Sequence, residues 1–137
     1  MKDDALKYLG LARKVGLLAV GEEAAGNTMA AGKGKLLVLG SDASPNAQRR
    51  AETFCFGHRA PRMTLPWKKE ELSRQLGKPG CSMLCFTDLA LADQFAAALA
   101  EELPEWKDTA ELLAQRREKA LRRKAAPRKH PIGKRRI

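Results

Sequence analysis

The sequence predicts an α/β sandwich, a small sheet carrying helices on both faces. Three observations carry that reading. Helix-competent segments alternate with short apolar runs from the N-terminus to about Leu103. One of those runs, residues 36–39 (LLVL), lacks any polar alternation, as suits a strand covered on both sides. The stretch over residues 15–40, VGLLAVGEEAAGNTMAAGKGKLLVLG, reads as strand, helix and strand in close succession, with a glycine after each strand.

The elements follow in order. Asp3 or Asp4 can cap a first helix whose apolar positions Ala5, Leu6, Leu9, Ala12 and Val15 keep helical spacing, and Gly16 ends it. Arg13 and Lys14 fall in its last turn, where cations complement the helix dipole. Residues 17–20 form a short strand. Gly21 then opens a second helix over 22–31, with Glu22 and Glu23 in the first turn and Gly32 past the last. After the 36–39 strand, Ser44 and Pro45 start a third helix that runs to about Phe56, and Gly57 closes it. Residues 61–65 make a third strand, 66–76 a fourth helix ended by Gly77, and 82–86 (SMLCF) a fourth strand. Thr87 and Asp88 cap a fifth helix with one apolar stripe, Leu91, Phe95, Ala98 and Leu99.

At 137 residues the chain has room for one domain, and it can bury a core without disulfide staples. The body is expected to span 1–104. A basic C-terminal extension, 105–137, is expected to be helical to about Ala126 and then too polar to build a core. The formal net charge of +10 favours a polyanionic partner. Its location matters more than its size. Eleven of the 26 Lys and Arg, and one of the 16 Asp and Glu, lie from Arg116 onward, so residues 1–115 hold fifteen of each and are formally neutral. Arg116, Arg117, Arg122, Arg123 and Lys124 are therefore the expected phosphate contacts of the extension. So few large apolar residues accompany them that a membrane surface is a poor partner. No run of apolar residues is long enough to span a bilayer. The N-terminus has no apolar core of an export signal, and three cysteines point to free thiols in a reducing cytoplasm.

The blocks YLGLARKVGLLAVGEEA, GKGKLLVLGSDASPN and MLCFTDLALA, in that order, resemble the kink-turn RNA-binding ribosomal protein family of the L-seven-Ae and L-thirty-e type, and within it the small bacterial YlxQ-like members. The resemblance covers about residues 5–100. It implies a three-layer α/β/α fold on a four-stranded mixed sheet, binding to ribosomal or another structured RNA, no catalysis, no cofactor and no small-molecule substrate. It also implies a site: the segment opening the second helix, a residue one turn further on, and the loop before the last strand. On this chain those positions are Gly21, Glu22, Glu23 and Asn27, with Lys78, Pro79 and Gly80 in the loop. Glu23 stands where the family has Asn, Ala24 where it has Glu, and Asn27 where it has Lys.

The chemistry of those residues narrows the implication. A helix N-terminus attracts phosphate, but two carboxylates in its first turn repel it, and they also serve the dipole on their own account. Glu23 can only accept hydrogen bonds, so a contact there is to guanine N–H groups. Phosphate contacts fall to Lys33 and Lys35 at the end of the second helix, to Arg13 and Lys14, and to Lys78. An alternative is a protein–protein adaptor, or an accessory module to an RNA-modifying enzyme, whose extension alone touches nucleic acid. Cys55, His58, Cys81 and Cys85 make a zinc-like set, but Cys81 and Cys85 in one strand would lie about 13 Å apart. No catalytic Ser-His-Asp or Cys-His pattern and no acidic metal cluster is visible, so neither metal nor catalysis is expected.

Overall fold

The structure, a computed structural model, describes residues 2–79 and 82–125. The elements run α1 (Lys2–Lys14), β1 (Leu18–Val20), α2 (Glu22–Ala30), β2 (Leu36–Leu39), α3 (Pro45–Cys55), β3 (Arg62–Thr64), α4 (Lys69–Leu76), β4 (Met83–Phe86), α5 (Leu89–Glu102) and α6 (Lys107–Ala125). A 3-10 turn, Pro104–Trp106, joins the last two helices. The strands form one mixed sheet in the order β1-β4-β2-β3. β4 runs antiparallel to both β1 and β2, and β3 is parallel to β2.

Period-two alternation in the central strands divides the apolar residues between two cores. Leu36, Val38, Leu84 and Phe86 face one side, where they join Leu9 of α1, Leu72 of α4 and Phe95 and Leu99 of α5. Leu37, Leu39, Met83 and Cys85 face the other, against Ala25 and Met29 of α2 and Ala47 and Ala51 of α3. Three layers result, helices outside and sheet between, as the apolar run at 36–39 requires. The larger core is tied by Phe86 and Phe95, whose ring centroids lie 5.1 Å apart.

Three local departures have physical causes. α1 already starts at Lys2, so Asp3 and Asp4 lie in its first turn rather than capping it, and Val15 falls past its end and is exposed. α4 starts at Lys69, three residues after the Pro66 the sequence suggests. The chain stays extended there because Trp67 is buried in the core and its carbonyl accepts from Ser41 N–H (2.8 Å). The helix then opens under two carboxylates: Asp42 accepts from Lys69 N–H (2.9 Å), and Glu71 accepts from Lys68 N–H (3.2 Å).

The third departure is α6. Ala110 and Leu113 are buried in the same core as α1, α4 and α5, so packed structure continues past residue 104. The alanine-rich α5 (LALADQFAAALAEE) is apolar around most of its circumference, and α6 packs along it. Two arginines fasten the join. Arg117 pairs with Asp93 of α5 at 3.1 Å, and Arg116 Nη1 donates to the Arg59 carbonyl at 2.6 Å. Residues 126–137, expected to lack a core, fall outside the described residues.

Candidate nucleic-acid interface

The register places the strand ends. Val20 pairs with Leu84 and Leu39 with Met83, so β1 and β2 finish where β4 begins. Gly21 N–H donates to Met83 O (2.9 Å) and Gly40 N–H to Ser82 O (2.9 Å), which fastens the three loops into one rim. Gly21 has φ 101° and ψ 160°, a region open essentially to glycine alone. A Cβ there would meet nothing within 4 Å, so backbone angle rather than crowding demands the glycine. Its carbonyl accepts from Ala25 N–H (2.9 Å), the first bond of α2.

The two glutamates then take different tasks. Glu22 is bound to Arg50 of α3 at 3.0 Å, a brace between neighbouring helices. Glu23 is exposed, and Asn27, also exposed, follows it one turn later on the same face of α2. Lys78 reaches back from the loop after α4, its Nζ 3.5 Å from the Val20 carbonyl, and Pro79 beside it is exposed. Gly80 lies outside the described residues. The Gly21 helix start and Lys78, more than fifty positions apart in the chain, thus meet at one end of the sheet, and Glu23 and Asn27 extend from that start along the exposed face of α2. The α4 start comes to the same rim with Lys68 and Lys69, which the sequence marks only as helix residues. Strand polarity would have pointed to them: the chain leaves a strand parallel to β2 just before. Gly26 serves packing, since a Cβ on it would sit 2.7 Å from Cζ of Phe54.

The other expected phosphate contacts are elsewhere. Lys35 N–H donates to Phe86 O (2.7 Å), which puts Lys33 and Lys35 at the far end of β4, roughly 10 Å of strand away at about 3.3 Å per residue. Lys14 stands just before the residues leading into β1, and Thr87 N–H donates to Leu17 O there (3.0 Å). Arg13 Nη1 donates to the Leu76 carbonyl at 2.6 Å, closing the end of α4. Arg116 and Arg117 hold α6 to the body, as described, so they are structural clamps where the sequence suggests phosphate contacts. Burial, and secondarily the charge of Arg59, lowers the Arg116 pKa. Arg122 pairs loosely with Glu118 one turn away (3.6 Å), and Arg123 and Lys124 are exposed.

Cys55 and Cys85 belong to the packing, and Cys81 lies outside the described residues. Cys85 is buried, and desolvation, then the nearby Cys55, pushes its pKa up to about 11. Cys55 is half-buried and also raised by burial, with Arg62 opposing. Both groups hold their protons more tightly folded than unfolded, so that stability is fully present below the ordinary thiol value; the share of Cys85 is lost as pH rises through about 11. Alkylation of the native protein at pH 8 is expected to leave Cys85 unmodified while denatured protein reacts fully, a comparison read by mass spectrometry. Among the described residues no group of three His, Cys, Asp or Glu side chains is placed to share a metal ion.

A groove of about 470 Å³ lies between α5 and α6, floored by Ala97, Ala100, Ala110 and Ala114 and edged by Glu101, Glu111 and Lys107. No helix among the described residues is long and apolar enough to cross a membrane.

No protein-family model matches the sequence, and no curated protein matches it. Among solved structures, the fold is similar to that of a protein with unknown function from Bacillus halodurans C, at a TM-score of 0.64 and 25% identity. The likeness covers 69% of this chain and 95% of that one. It bears out the α/β sandwich and carries no assignment of activity.

Proposed function

We propose that the protein is a non-enzymatic, cytoplasmic RNA-binding protein that reads the shape of a kink-turn-like element in ribosomal or another structured RNA. The observation that supports this best is the meeting of the Gly21 helix start with the Lys78 loop, Lys78 Nζ lying 3.5 Å from Val20 O. Those are the two segments that the family resemblance singles out. Glu23 accepts from guanine N–H groups exposed where an RNA helix bends, and Asn27 adds a second polar contact along the same face. Lys78 takes a phosphate, and so do Lys68 and Lys69. Arg123, Lys124 and the basic residues beyond supply affinity without sequence preference. No cofactor and no small-molecule substrate enters this account.

Filter binding of the full chain to a kink-turn RNA and to a plain duplex of equal length tests it. The kink-turn is expected to bind about tenfold more tightly or better, a difference of about 1.4 kcal/mol or more. Affinity for both should fall steeply with salt, and Lys78→Ala should flatten that slope by about one phosphate contact. Equal affinity for the two RNAs would remove the shape-reading site and leave only electrostatic attachment.

One observation favours a second reading, a protein–protein adaptor. The α5–α6 groove is apolar in its floor and of mixed charge at its edge, which suits a peptide better than a phosphate backbone.

A further inference from the structure

We infer that the loop joining α3 to β3 is a second RNA contact, a stacking platform for an unpaired base, with Phe56 as its aromatic face. Phe56 is 87% exposed, whereas Phe86 and Phe95 are fully buried in the core. It is not swinging on a loose loop. Its N–H donates to the carbonyls of Glu52 (3.0 Å) and Thr53 (3.2 Å), and His58 N–H donates to Cys55 O (3.0 Å) across the Gly57 turn. The backbone therefore holds the ring outward at a fixed place while hydrogen bonds are complete beneath it.

What surrounds the ring selects the ligand. His58 and Arg59 follow it and are exposed, and Arg62 opens the next strand. Arg116, from α6, donates to the Arg59 carbonyl at 2.6 Å and so fixes the backbone of this loop from below. Glu52, one turn before Phe56, is paired with Arg62 at 3.8 Å. Lys35 lies at the same end of the sheet, since Leu37 N–H donates to Pro61 O (3.0 Å). An exposed ring with Arg59 three residues on and Lys35 at the same end of the sheet is a combination that suits single-stranded nucleic acid: bases stack on the ring and phosphates meet the cations nearby. A duplex keeps its bases stacked on one another, so the ligand is a single strand, bulge or flipped nucleotide. A hydrophobic protein patch would satisfy the ring but offer no counter-charge to Arg59 and Lys35.

This inference rests on the reading that the protein binds RNA, but it uses the end of the sheet opposite Gly21 and Lys78. Short oligouridine binding to the full chain tests it. Phe56→Ala is expected to weaken that binding about 5- to 100-fold, the range base–aromatic stacking supplies. Phe56→Leu, which keeps the apolar bulk and loses the π-face, should weaken it too. Phe56→Trp should retain affinity, and its emission should be quenched on adding oligouridine. Thermal melts of the variants should match the parent, because the ring is exposed. Unchanged oligouridine binding in Phe56→Ala, or parental affinity in Phe56→Leu, would overturn the inference while leaving kink-turn binding untouched. Failure of the parent to bind any RNA would overturn both.

Discussion

Replacing Leu113 with alanine is expected to destabilise the protein by about 2–5 kcal/mol, measured as a shift in the urea midpoint at unchanged slope. Leu113 is 0% exposed and enters the core through α6, beside Ala110 and against α5. Truncation there leaves a cavity between two helices and the sheet face behind them. Leu121, on the same helix but 55% exposed, supplies the control, and Leu121→Ala should change stability by no more than about 0.5 kcal/mol. The contrast separates a helix that completes the core from one that merely rests on it. Near-zero effects for both would mean that the folded unit ends before α6.

Gly21→Ala is expected to cost about 1–3 kcal/mol although the added methyl meets nothing. The cost comes from φ 101° and ψ 160°, which an L side chain resists. The chain can relieve that strain only by rotating the first turn of α2, and the Met83 carbonyl would then lose its bond from Gly21 N–H. The same rotation would move Glu23 relative to Lys78, so kink-turn affinity should fall together with stability. A neutral Gly21→Ala would show that the helix start tolerates more freedom than its backbone angles suggest.

How much of this was legible in the sequence varies with the physics involved. The alternation of elements and the buried character of residues 36–39 follow from apolar spacing, and the strands lie within a residue of where that spacing puts them. The start of α4 did not follow, because Pro66 looks like a first helical residue while the burial of Trp67 is a tertiary fact. The docking of α6 was hidden by its composition: between Arg116 and Lys124 it reads as a charged arm, and only Ala110 and Leu113 reveal a buried side. The candidate site was half legible. The Gly21 helix start and Lys78 lie side by side, whereas Lys33 and Lys35, adjacent to α2 in sequence, stand at the other end of the sheet because a helix carries its two ends apart. Arg116 and Arg117 count toward net charge like any cation, and nothing in their spacing distinguishes a clamp from a phosphate contact. Phe56 gave no signal at all, since an aromatic at a helix end is as readily buried as exposed.

Amide chemical shifts recorded while a kink-turn RNA is titrated into the full chain test the central claim most directly. The largest changes should fall at residues 21–27 and at Gly77 and Lys78, on the two segments that flank the Val20 carbonyl, with smaller ones in the last turns of α6. Changes confined to α6 and the residues after it, with Gly21, Glu23 and Lys78 unmoved, would contradict the account.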